Sequence, residues 1–168
     1  MEIVQTHQTS DFQKIEDLAY KIIPEFYSGI IPHDHNIFFV KKFQTVEAIS
    51  QQLKTSYEYF LLNIDNYPIG YFGIQVDLEK SNLLLSKLYI LKEYRGLGYG
   101  TKAMDFIIER ANDYKLKNLV LTVNRENEKT IKLYKRYGFS VTKELVNQFE
   151  NGHTILDYEM TRINHELG

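Results

Sequence analysis

The sequence predicts an α+β fold: a single domain over residues 1–168, built on a mixed, mostly antiparallel, twisted sheet of about seven strands with helices on both faces. Three observations predict it. Strand-like runs adjoin one another across turn signals at Asp65-Asn66-Tyr67-Pro68 and Asn151-Gly152, the pattern of antiparallel hairpins. A strand, glycine loop, helix and strand span 83 to 123, and such a unit requires a right-handed crossover between parallel strands. The helical stretches carry their apolar residues on one side, so each has a face to lay against a sheet.

The elements follow in order. Residues 2–6 alternate weakly and predict a short strand. Ser10 followed by Gln13 is a capping-box signature, and Phe12, Ile15, Leu18, Ala19 and Ile22 share one helical face, so a helix is expected from about 11 to the Pro24 region. Residues 28–36, Ser-Gly-Ile-Ile-Pro-His-Asp-His-Asn, are the least regular stretch and read as a loop. A second helix is expected over 45–55 with Thr45 as its N-cap. Strands are expected over 57–64, 69–77 and about 83–91. After the glycines at 96–100, Ala103, Phe106, Ile107, Ile108 and Ala111 mark a helix, and Leu119–Val123 a buried strand. A helix from Asn127 to about Tyr137 carries Ile131, Leu133 and Tyr134, and Gly138 ends it. Strands over 139–149 and 153–162 flank Asn151-Gly152.

Composition removes several function classes. Twenty basic against twenty-two acidic residues give a net charge of −2, without the basic excess of a nucleic-acid binder. There is no cysteine, which excludes disulfides, thiolate nucleophiles and cysteine-ligated zinc. The stretch Met1–Thr6 lacks the basic and apolar regions of a signal peptide, and apolar runs such as Tyr59-Phe60-Leu61-Leu62 fall far short of the roughly 20 residues of a membrane span. The expectation is a cytoplasmic protein with no membrane or nucleic-acid partner.

The most informative segment is Arg95-Gly96-Leu97-Gly98-Tyr99-Gly100-Thr101, which follows a strand and opens a helix. Alternating glycines let the backbone turn tightly and bring amides close to a ligand, and the helix behind them presents a partial positive charge that suits phosphate. Arg95 adds a full charge at the mouth, so the loop reads as a diphosphate cradle. It is not a P-loop, because Thr101 precedes Lys102, and it is not a dinucleotide fingerprint, because the third glycine comes one position early. A tight turn with no ligand is the plain alternative.

A second segment, Asn124 to Phe139, lies at a strand end and on the following helix. With it the chain resembles the GNAT superfamily of acetyl-CoA-dependent N-acetyltransferases. The family's first motif, Arg/Gln-x-x-Gly-x-Gly/Ala, is met by Arg95, Gly98 and Gly100. The second, an Asn followed seven residues later by Tyr and then by Gly-Phe, is met by Asn127, Tyr134, Gly138 and Phe139. The order of elements is similar to that family's fold from end to end. The resemblance implies that the strand at Leu88, Tyr89 and Ile90 parts from its neighbour to receive the pantetheine arm of acetyl-CoA. It also implies that the amides of 95–101 hold the pyrophosphate and that a backbone N–H near Ile90 faces the thioester oxygen. Asn127 then touches the pantetheine or, as a plain N-cap, holds the helix start. Tyr134 is the family-style acid for the departing thiolate.

One part of the family pattern is missing. Many members carry a base glutamate at the positions that here are Ser86 and Thr122, and neither can act as a carboxylate. Glu25, His33, Asp34, His35 or a water chain remain as alternatives, none assigned. His33-Asp34-His35 has metal-ligand types without a distant partner, and His7, His153 and His165 show no ligand spacing, so no metal is expected. The resemblance implies an acetyltransferase acting on a primary amine of a small molecule or peptide. A polyamine acetyltransferase and a non-catalytic CoA-binding module stand as alternatives. Family members often pair through their last strands, so a homodimer is expected.

Overall fold

In the computed structural model, which describes residues 1–164, the strands are β1 (Glu2–Gln5), β2 (Tyr57–Ile64), β3 (Tyr67–Asp77), β4 (Asn82–Ile90), β5 (Asn118–Asn124), β6 (Ser140–Gln148) and β7 (Thr154–Ile163). The helices are α1 (Thr9–Phe26), α2 (His33–Phe43), α3 (Val46–Gln52), α4 (Tyr99–Asp113) and α5 (Glu128–Arg136). The strands form one sheet in the order β1-β2-β3-β4-β5-β7-β6. Among the described residues only β4 and β5 are parallel, as the crossover through α4 requires. The predicted mixed, mostly antiparallel sheet is therefore the observed one.

Each face of the sheet has its own core. On one, Phe12, Ile15, Ile22 and Ile23 of α1 pack with Val40 of α2 and Ile49 of α3 against Tyr59, Leu61, Tyr71 and Tyr89. On the other, Met104 and Ile107 of α4 and Ile131 of α5 pack against Phe72, Leu83, Leu85, Leu121 and Met160. Strands buried on both faces lose the apolar–polar alternation, and β2 runs Tyr59-Phe60-Leu61-Leu62 for that reason. Among the described residues no helix is long and apolar enough to cross a membrane.

Some local expectations are corrected. Helix α1 starts at Thr9 behind Gln8, which makes no side-chain cap bond, so Ser10 lies inside the helix and does not cap it. The same helix runs through Pro24 to Phe26; so close to the end the missing N–H costs one bond, and Tyr27 N–H closes on the Ile23 carbonyl at 3.1 Å. Residues 33–36, read as loop, form the first turn of α2. Thr45 caps α3 as expected, its hydroxyl accepting from Ala48 N–H at 3.2 Å, but that helix stops at Gln52. At the last hairpin the connection has five residues, 149–153: Gly152 N–H donates to the Phe149 carbonyl and Phe149 N–H to the His153 carbonyl, with Gly152 at φ +87°.

Candidate active site

Strands β4 and β5 run side by side only at their starts. Their pairing covers Asn82–Leu85 against Asn118–Leu121, while β4 continues to Ile90 and β5 to Asn124, so the two part over their last residues. A bulge in β4 accompanies the parting. Opposite β3, Gly73 faces Lys87 and Ile74 faces Leu85, which leaves Ser86 without a partner. One extra residue inverts the in–out alternation. Leu83 and Leu85 lie in the core with α4, whereas Tyr89 lies in the core with α1. Farther along, Leu91 N–H donates to the Ile69 carbonyl of β3 at 2.9 Å. By the antiparallel alternation Ile90 then turns its own N–H and carbonyl away from β3, toward the gap, where β5 no longer offers a partner. Leu88 and Ile90 are half-buried on the α4 side.

The glycine loop sits at the end of that gap. A single 3-10 turn, Lys92–Tyr94, leads to Arg95, and Gly98 is the N-cap of α4 at φ +86°, a left-handed conformation that a side chain strains. A Cβ there would meet nothing within 4 Å, so the space above the loop is open. The first backbone bond into α4 runs from Lys102 N–H to the Gly98 carbonyl at 3.1 Å. Among the described residues the successive amides of Gly96, Leu97, Gly98, Tyr99, Gly100 and Thr101 therefore have no acceptor. Arg95, expected to add a full charge at the mouth, donates to both carboxylate oxygens of Glu25, at 2.6 and 3.2 Å, and to the Ile90 carbonyl at 2.8 Å. The positive potential of the loop is thus carried by its amides and the helix behind them, and Arg95 fixes the end of β4 against α1.

A cavity of about 120 Å³ opens between the sheet and α1–α2, lined by Tyr27, His35, Ser86, Tyr89, Thr122 and Asp157 among others. The Tyr27 and Tyr89 hydroxyls are 3.4 Å apart. Burial pushes both phenols up; for Tyr27 the bond to Tyr89 works against this and the Asp157 charge with it, while Tyr27 raises Tyr89 further. Tyr134, on α5, is half-buried with its ring 5.7 Å from that of Phe139. Burial raises its phenol too, and Tyr27 raises it further, so the three hydroxyls lie within electrostatic reach of one another. Tyr134 does not line the cavity. Asn127 caps α5, its Oδ1 accepting from Thr130 N–H at 3.3 Å.

Helix α2 and the β6–β7 loop roof this cavity. His153 Nε2 pairs with Asp34 at 2.8 Å, Asn151 with His35 Nδ1 at 3.0 Å, and Lys42 Nζ donates to Glu150 at 3.0 Å. Burial lowers the pKa of His35 and favours its neutral ring. Of the residues weighed as a base, Glu25 is held by Arg95, Asp34 by His153 and His35 by Asn151, and His33 is exposed. Ser86 and Thr122 both face the cavity without a carboxylate. Among the described residues no group of three His, Asp or Glu side chains could hold a metal; His165 lies outside them. Sequence reasoning missed Asp157. No local motif marks it, and only the register that sets it opposite Asn124 of β5 brings it to the cavity.

Comparison with known proteins adds an independent observation. The family model described as acetyltransferase (GNAT) family matches residues 19–139. The chain is 42% identical over 67 residues to the spermidine N(1)-acetyltransferase of Escherichia coli K12, which covers 38% of this chain and 34% of that protein. It thus spans about a third of the length of that curated relative. The fold is similar to that of the PaiA N-acetyltransferase of Thermoplasma acidophilum, solved in complex with coenzyme A, with a TM-score of 0.77 at 16% identity over 97% of this chain and 99% of that one. It is also similar to a GNAT family acetyltransferase of Elizabethkingia anophelis with acetyl-CoA bound, with a TM-score of 0.58 at 19% identity over 70% and 82% of the two chains. Because the family model takes in most of the sequence, from α1 through both motifs, the chain belongs to the acetyltransferase (GNAT) family.

Proposed function

We propose that the protein transfers an acetyl group from acetyl-CoA to a primary amine of a small molecule or peptide. The observation that carries this reading is the run of amides at 96–101, without acceptors, at the end of a strand that has parted from its neighbour. Those amides suit the pyrophosphate, and the outward-turned backbone of Ile90 suits an extended arm lying beside β4. Acetyl-CoA brings the activated thioester. The chain's own work is to orient it, to offer the Ile90 N–H to the carbonyl oxygen as charge develops there, and to keep a proton at Tyr134 Oη for the leaving sulfur. Asn127 supports the site by capping the helix that carries Tyr134. The similarity to a spermidine acetyltransferase covers too little of the chain to single out polyamines. We further propose a homodimer through the last strands.

A screen of primary amines with acetyl-CoA, reading thiol release, tests the activity. Wild-type protein is expected to release thiol with at least one amine, and acetyl-CoA to raise its Tm by mass action. Gly98→Glu places a side chain and a negative charge in the open space of the cradle and is expected to lose both responses. Native acetyl-CoA affinity in that variant overturns the cradle assignment.

A further inference from the structure

The family-style base positions are vacant of carboxylates, yet the cavity holds one. Asp157 projects from β7 beside the ends of β5 and β4, on the same wall as Ser86 and Thr122. Asn147 of β6 donates to its Oδ2 at 2.8 Å, and among the described residues this is the one hydrogen bond its carboxylate makes. The cation that acts on it electrostatically, Arg125, is bonded elsewhere: its Nε donates to the Asp157 backbone carbonyl at 3.3 Å, its guanidinium pairs with Glu144 at 3.5 Å, and it lies 5.2 Å from the centre of the Tyr158 ring. The other titratable groups lining the cavity are the neutral phenols of Tyr27 and Tyr89 and the imidazole of His35. Arg125 acts on this anion from a distance, and among the described residues no cation forms an ion pair with it.

We propose that Asp157 is the substrate-amine residue of this protein: its carboxylate receives the incoming ammonium in the cavity and takes a proton from it. This rests on the acetyltransferase reading above and supplies the base that Ser86 and Thr122 do not. The ammonium gives one proton to Asp157, which passes it to solvent. The neutral nitrogen forms the C–N bond as the C–S bond breaks, Tyr134 protonates the sulfur, and the second proton shed by the nitrogen restores Tyr134. The balance is ammonium plus thioester giving amide, thiol and one proton. Burial raises the Asp157 carboxyl above the ordinary carboxylate range, against the lowering effects of Asn147 and Arg125, and makes its anion a stronger proton acceptor. The site accordingly takes amines that are cationic in solution, with the aromatic walls of Tyr27 and Tyr89 around the carbon next to nitrogen.

The test is Asp157→Asn, which keeps the shape and a partner for Asn147, compared with wild type on the best amine of the screen across pH. The expected result is a fall in kcat/KM of roughly 10²–10³ near neutral pH, narrowing as pH approaches the amine's own pKa, with acetyl-CoA affinity unchanged. Wild-type kcat/KM at every pH in Asp157→Asn overturns the assignment while leaving the acetyltransferase reading intact. Failure of wild-type protein to release thiol with any amine of the screen overturns both. Should Asp157→Asn fail to show the acetyl-CoA-dependent rise in Tm that marks folded protein, Asp157→Ser makes the same comparison with a smaller side chain.

Discussion

Tyr134 illustrates how burial serves a proposed acid. Removed from water and close to other phenols, its hydroxyl holds its proton to higher pH than a free tyrosine. Tyr134→Phe is expected to lower kcat by roughly 10²–10⁴ with acetyl-CoA affinity little changed, because the ring packing on Phe139 remains. The sign of the pH effect follows from the role. An acid fails when it ionises, so wild type loses activity on an alkaline limb above the ordinary tyrosine range, and the variant lacks that limb. Steady-state kinetics across pH read both, and an unchanged profile leaves Tyr134 as a packing residue. The proposal for Tyr134 came from the sequence through the resemblance to the family motif, whose Asn127 and Tyr134 lie close together on one short helix. Asp157 was not proposed, because the Asn151-Gly152 turn sets its strand against β6 but nothing local signals that its other neighbour is β5.

Among the elements, every strand was legible, since β-branched, aliphatic and aromatic runs between turn signals depend only on near neighbours. Helix α2 was not, and its buried positions explain why. They are His35, Asn36 and Val40, so two of the three residues it turns inward are polar and the apolar period that marks a helix is absent. The side of α2 that looks irregular in sequence is the side that roofs the cavity. Strand β6 makes the opposite point. Among the described residues it pairs only with β7, most of its residues are exposed, Val146 stands open to solvent opposite the exposed Leu156 of β7, and Val141 is exposed farther along the strand. An apolar edge of this kind invites pairing with a second copy. Sedimentation at micromolar concentration is expected to give a species of about twice 19.9 kDa, reduced to the monomer by Val146→Lys. A monomer alone in wild type counts against the dimer.

For the molecule as a whole, the bulge at Ser86 has an energetic consequence. It turns Lys87 into the α1-side core, where Nζ donates to Tyr59 Oη at 2.8 Å and to Gln52 Oε1 at 3.0 Å and lies 5.2 Å from the centre of the Tyr57 ring, with no ion-pair partner among the described residues. Burial pushes its pKa down from 10.5 to about 7. Between those values the unfolded chain binds a proton that the folded chain does not, so this group makes stability rise with pH across that window. Below it the full cost of the buried charge is present; above it there is none. Lys87→Met is expected to raise stability by about 1–4 kcal/mol near pH 6, with the gain shrinking toward alkaline pH. Denaturant titrations of both proteins over pH read the difference; a gain that is constant with pH would trace to packing alone.

The strand order also sets an order of events. β7 lies between β5 and β6 in the sheet but is the last of the three to leave the ribosome. While it is being made, the open edge of β5 and the whole of β6 wait unpaired, and neither the wall carrying Asp157 nor the roof tied to α2 through Asn151 and His153 exists. Contacts more than a hundred residues apart in sequence then close the cavity in a late step. A nascent chain of this protein can therefore fold its glycine loop well before it has anywhere to put a substrate.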